Sequence, residues 1–208
     1  MEKMMTGMAI AALAASAQGE TVNFDDVRPG TLPPGWISGV TGRGAAHWTV
    51  ELEATAPSAP HVLKQSGSGD FPWCVNGATS LADGFVEVKF KPLTGRDDQA
   101  GGVVWRWKHG DQYYVARANA LENNVSLYYT GRGRRNTIKY VDAPVAGNVW
   151  HILRAEFVGA RIRILLDGKA YIELDDTHLA GPGAVGVWTK ADSVTAFDDF
   201  AFGLPAAR

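Results

Sequence analysis

The chain has 208 residues, enough for one large domain and hardly for two. Lys and Arg total 20 against 22 Asp and Glu, and the formal net charge of -2 gives no general drive toward nucleic acid or an anionic membrane surface. Hydrophobic residues make up 46%, so a sizeable core can form, while the single cysteine, Cys74, excludes an intramolecular disulfide and a cysteine-cluster metal site.

The first residues, MEKMMTGMAIAALAASAQGE, have the form of an export leader. Lys3 supplies a short basic start, residues 6–15 a short apolar stretch, and Ala15-Ser16-Ala17 the small-x-small pattern that a signal peptidase needs. The expectation is a signal peptide over residues 1–17 and one mature domain over 18–208, in the periplasm or the medium. The apolar run is too short to span a bilayer. All four methionines fall in this leader, so its composition is set apart from the rest. No later segment is long and apolar enough to insert in a membrane.

From residue 20 onward strand and turn signals alternate. Residues 21–24 open as a short strand. Residues 28–36 hold three prolines and two glycines and read as a loop. Strands follow at 48–52 and 61–65, then at 84–91, where Val86, Val88 and Phe90 alternate with Phe85, Glu87 and Lys89. The centre is densest, with strands at 102–107, 113–119 and 124–129, a basic loop at 131–135, and a strand at 137–141. Cys74 sits in an apolar setting that reads as a buried, inert thiol. Residues 150–158 place Leu153, Ala155 and Phe157 on one side. Ile162, Ile164 and Leu166 alternate with arginines, and Asp167-Gly168 is a two-residue hairpin signal. Strands at 171–174, 185–189 and 195–202 complete the chain. About a dozen short strands with almost no helical period give an all-β sandwich or jelly roll.

Three stretches carry a resemblance. They are Gly101-Gly102-Val103-Val104-Trp105-Arg106-Trp107 with Tyr113-Tyr114-Val115; residues 150–157 with Ile164-Leu165-Leu166-Asp167-Gly168-Lys169; and Gly183-Ala184-Val185-Gly186-Val187-Trp188-Thr189 with Phe197-Asp198-Asp199-Phe200. Their order resembles the concanavalin A-like lectin/glucanase group, laminin G-like domains included. It also resembles the bacterial exported domains named 3-keto-disaccharide hydrolase or family 16-like glycoside hydrolase. The resemblance spans Val22 to Phe202. It implies an antiparallel two-sheet jelly-roll β-sandwich whose concave face binds sugar, with the first and last strands as neighbours.

Sugars are held by aromatic rings stacked on C–H faces and by polar groups that hydrogen-bond in pairs. Trp105, Arg106, Tyr114, Arg117, Asn119, Tyr128, Trp188 and Lys190 crowd into adjacent expected strands and are the candidate ligand-binding set. Mid-strand arginines need a reason, since an unpaired buried charge is costly, and a groove floor supplies one. The alternatives are core aromatics and arginines on a solvated face.

A glycosidase needs two carboxyl groups about 5–9 Å apart. The nearest match to the family 16 pattern is Glu173-Leu174-Asp175-Asp176-Thr177-His178, where His178 replaces the last acid and no catalytic residue is singled out. The resemblance further implies a structural calcium, with Asp26 and Asp198 its candidate ligands across adjacent first and last strands; no other cofactor is required. The expected partner is a carbohydrate, bound by a monomer with no role for nucleic acid. A glycoside hydrolase of the 3-keto-disaccharide type and a laminin G-like adhesion or scaffold module stay open as alternatives.

Overall fold

The computed structural model describes residues 19–205, so the expected leader lies outside the described residues. Fifteen strands occur among the described residues: β1 (Gly19–Val22), β2 (Trp36–Ala45), β3 (Trp48–Leu52), β4 (His61–Gln65), β5 (Ser68–Leu81), β6 (Gly84–Thr94), β7 (Ala100–His109), β8 (Gln112–Asn119), β9 (Asn124–Gly131), β10 (Arg134–Asp142), β11 (His151–Val158), β12 (Arg161–Leu166), β13 (Lys169–Asp175), β14 (Gly183–Trp188) and β15 (Val194–Gly203). They form two antiparallel sheets. The eight-stranded sheet runs β13-β12-β11-β6-β15-β4-β3, with β1 also paired to β15. The seven-stranded sheet runs β10-β9-β8-β7-β14-β5-β2. This is the jelly-roll sandwich expected, and Val22 opposite Phe200 makes the first and last strands neighbours as the resemblance implies. Among the described residues no helix is long and apolar enough to cross a membrane.

In the eight-stranded sheet the period-2 pattern has its expected consequence. Val86, Val88 and Phe90 of β6, Leu153, Ala155 and Phe157 of β11, and Ile162 and Ile164 of β12 all point into the space between the sheets. They meet Cys74, Val103, Trp105, Tyr114, Ala116, Val125, Leu127, Val185 and Val187 from the seven-stranded sheet. Burial of this apolar surface, at about 25 cal/mol per Å2, is the main stabilising term. Cys74 is a fully buried free thiol, and burial pushes its pKa up, which suits an inert core residue.

Two long strands escape a reading of the sequence. β2 begins at Trp36, the last residue of the proline-rich loop, and β5 spans fourteen residues. Both are rich in glycine, which weakens the alternation signal. The glycines serve a close approach: Gly44 has φ of 100°, and a Cβ there would lie 2.4 Å from the Gly69 Cα. At Gly39 a Cβ would lie 2.5 Å from the Trp73 ring, so the bare backbone of β2 makes room for that indole.

Candidate functional site

The seven-stranded sheet is buried on both faces over its centre: six of the residues of β14 and seven of β8 are buried. Its inward face belongs to the core. Its outward face carries a second apolar cluster, with Trp73, Val75, Val104, Tyr113, Val115, Tyr128, Ala184 and Trp188 buried, and Phe71 and Trp107 packed against them. Phe71 stacks on Trp188 with centroids 5.9 Å apart, and Trp73 tilts against Trp107 at 5.0 Å.

Alternation along β8 puts Tyr113, Val115, Arg117 and Asn119 on this outward face and Tyr114, Ala116 and Ala118 in the core. Arg117 is opposite Ser126 of β9, and Asn119 opposite Asn124. The result is a continuous polar network at one end of the face. Arg117 Nη2 donates to Glu122 at 2.5 Å and to Asn124 Oδ1 at 2.9 Å, while its Nη1 stands 3.7 Å from Asp98. Asp98, with 0% exposure, accepts from Asn119 Nδ2 at 2.7 Å and from the Lys190 ammonium. The loop bearing Asp98 is fixed by Asp192, whose carboxylate accepts from the backbone N–H of Arg96, Asp97 and Asp98.

The two acids of the network respond in opposite directions. Burial pushes the Asp98 carboxyl up, and its hydrogen bond to Lys190 and the charge of Arg117 offset this only in part. Burial also raises Glu122, but the Asn124 amide and the Arg117 guanidinium outweigh it and bring the carboxyl down to about 2. Arg117 thus sits between two carboxylates, and the network fixes where the Lys190 ammonium lies.

Beside the network a cavity of about 570 Å3 opens. Its lining includes Phe71, Asp70, Asp97, Arg43, Arg135 and Lys190. Arg135, from edge strand β10, lays its guanidinium 4.2 Å from the Tyr128 ring centroid, 4.7 Å from Phe71 and 5.9 Å from Trp188. One wall is therefore apolar and the others carry charged groups of both signs, a composition suited to a polar ligand with hydrophobic patches.

The eight residues expected to bind ligand divide into four groups. Lys190 lines the cavity. Arg117, Asn119, Tyr128 and Trp188 lie on the same face but are buried, and they support Lys190 and Arg135 from beneath. Trp105 and Tyr114 lie on the opposite side of the sheet, where Trp105 stacks between Tyr114 and Phe157 in the core. Arg106 is removed from the face by a bulge. With φ of 49° it breaks the alternation, sends Trp107 outward, and turns its own guanidinium to the carbonyls of Ala82, Leu179 and Gly159 at the end of the sandwich. Trp105, Arg106 and Tyr114 brace the sandwich and do not line this cavity.

Phe71, Asp70, Asp97 and Arg43 carry no signal in the sequence that marks them for a site. Arg135 is visible there only as part of a basic loop; Arg132 and Arg134 are exposed, whereas Arg135 folds over the aromatic cluster. Its pairing with Thr130 across the β9–β10 hairpin is what aims it.

The two candidate calcium ligands differ in exposure. Asp26 is exposed. Asp198 is buried and accepts from Ser58 N at 2.7 Å, Ser58 Oγ at 2.8 Å and Asp199 N. No cluster of three or more His, Cys, Asp or Glu able to hold a metal is found among the described residues. The segment compared with a catalytic strand begins at the end of β13, at the edge of the other sheet, where Glu173 pairs with Arg161 and Arg163, and it runs on past the strand at Asp175.

The sheet order defines a concanavalin A-like jelly-roll fold. Solved structures share it. A carbohydrate-binding module, CBM66 from Bacillus subtilis, superposes with a TM-score of 0.67 at 20% identity, covering 81% of this chain and 95% of its own. The carbohydrate recognition domain of Emp47p gives 0.62 at 11% identity, covering 94% and 100%. The Bacillus licheniformis β-glucanase gives 0.55 at 14%, covering 91% and 98%. At these identities the likeness is one of fold. No protein-family model matches the chain, and no curated protein does.

Proposed function

We propose that this protein is a lectin-like carbohydrate-binding domain, and that its ligand, an oligo- or polysaccharide, enters the cavity lined by Phe71, Arg135 and Lys190. The observation that carries the reading is the outward face of the seven-stranded sheet. It is built of aromatic rings and a charge network instead of solvated side chains, and it leads to a cavity large enough for a sugar unit. Neighbours in fold that are named for carbohydrate binding support it. Phe71 offers the apolar surface, and Lys190, Asp70 and Asp97 offer hydrogen bonds to hydroxyls. The leader pattern extends the proposal to an exported protein, for which the mature chain begins at Gln18; the mass of the processed protein tests that separately.

The test is a glycan array and affinity electrophoresis against soluble polysaccharides, each with and without a chelator. Binding by the wild-type chain, weakened about tenfold or more in Phe71→Ala and Lys190→Ala with unchanged thermal stability, supports the site. Both variants binding as tightly as wild type would remove the ligand from this cavity. No binding to any glycan would leave the adhesion-module alternative in its place.

A further inference from the structure

Arg135 is set apart from the other cations around the cavity. Lys190 has Asp98 as its counter-ion, Arg117 has Asp98 and Glu122, and Arg43 has Asp70. Asp97 is exposed and pairs with Arg96. Arg135 pairs with no carboxylate among the described residues. Its Nη1 is buried without a hydrogen-bond partner, and its close company is the rings of Tyr128, Phe71 and Trp188.

Aromatic faces attract a guanidinium, but they accept none of its five N–H groups in a directed way. Burial works against the charge of Arg135 and Arg117 nearby adds repulsion, and the attraction of Tyr128, Asp98 and Glu122 offsets these only in part. The group is nonetheless held in place from several sides. It is registered by the β9–β10 pairing and sits at the wall of a cavity that also offers the apolar surface of Phe71. A planar fork of donors with no acceptor of its own matches a carboxylate better than it matches a hydroxyl.

We propose that Arg135 is the anion-binding group of this cavity, and that the ligand is an acidic glycan whose sugar units carry a carboxylate; this rests on carbohydrate binding at the same cavity. The sugar ring meets Phe71 while the carboxylate supplies the counter-charge that Arg135 lacks. Lys190, already committed to Asp98, contributes hydrogen bonds more than charge.

The experiment is titration calorimetry on the full chain with oligogalacturonate, oligomannuronate and oligoglucuronate, each beside its methyl ester. The pairs differ only in the charge of the carboxyl group. At least one acid oligomer is expected to bind, with its ester about tenfold or more weaker and with affinity falling as salt rises. In Arg135→Gln the acid and the ester are expected to bind alike, and in Arg135→Lys part of the preference remains. Circular dichroism checks the fold of each variant; if Arg135→Gln does not fold, the acid–ester pair and Arg135→Lys decide. An ester that binds as tightly as its acid overturns the acidic ligand and leaves the carbohydrate reading intact. A preference that persists in folded Arg135→Gln overturns the assignment to Arg135. No binding by any oligomer, charged or esterified, counts against both readings.

Discussion

On the outward face of the eight-stranded sheet, opposite charges are laid out in cross-strand pairs. Arg154 lies opposite Glu87, Glu156 opposite Arg163, and Arg163 opposite Glu173, all partly or fully exposed. On the outward face of the seven-stranded sheet the same positions hold Trp73, Trp188, Tyr113, Tyr128 and Arg117, all buried. The first arrangement costs little and contributes little, about 0–1 kcal/mol per exposed pair. The second takes an arginine and an aspartate out of water, which costs several kcal/mol per ion before pairing offsets it. Stability alone does not call for such a face, because apolar residues of similar size would serve it as well. The contrast marks where the fold has been shaped for something besides holding together.

The largest effects should come from the two faces of the seven-stranded sheet. Trp105→Ala, on the core side of the seven-stranded sheet, is expected to cost about 3–5 kcal/mol in urea denaturation. A cost near zero would mean that the indole is not packed between Tyr114 and Phe157. Arg117→Ala leaves Asp98 and Glu122 facing each other without the guanidinium, and a similar loss of about 3–5 kcal/mol is expected. Arg117 is therefore a poor probe of binding alone, since its side chain is only 2% exposed and its removal threatens the face itself. If Arg117→Ala kept full stability, the network would not be the support of Lys190.

A smaller effect should appear on acidification. The folded-state pKa of Glu122 is depressed from 4.5 to about 2. Its contribution to stability is therefore fully present above the unfolded value and is lost as pH falls toward about 2. Asp98 acts in the opposite sense, because burial raises its pKa, so that its ionised form opposes folding as pH rises through its folded value. Glu122→Gln should flatten the decline of stability between these limits, measured by urea denaturation across a pH series. Equal pH slopes in the two proteins would mean that Glu122 is not held by the network. The smallest effect belongs to the first sheet: Arg154→Ala should change stability by less than about 1 kcal/mol and leave glycan binding untouched, despite its contact with the Phe85 ring. A larger loss would show that the charge ladder bears more of the fold than exposed pairs ordinarily do.

The all-β sandwich is legible in the amino-acid sequence without coordinates. So is the inward face of β6, β11 and β12, because those strands meet water on one side and their alternation labels it. Sequence alternation also sorts Arg117 and Asn119 from Ala116 and Ala118 on β8. It does not tell which aromatic residues lie on which face of the seven-stranded sheet; tertiary packing settles that. The sheet is buried on both sides, so polarity does not mark its faces, and Trp105 and Trp188 look alike in sequence while lying on opposite sides. The bulge at Arg106 shifts the phase of β7 as well, through a positive φ that no neighbouring residue type announces. The cavity needs more still. Phe71 comes from β5, Arg135 from β10 and Lys190 from the loop after β14, and only sheet pairing and the clamp of Asp192 bring them together. Local period is written along a strand, but a site assembled across strands exists only once the sheet has closed.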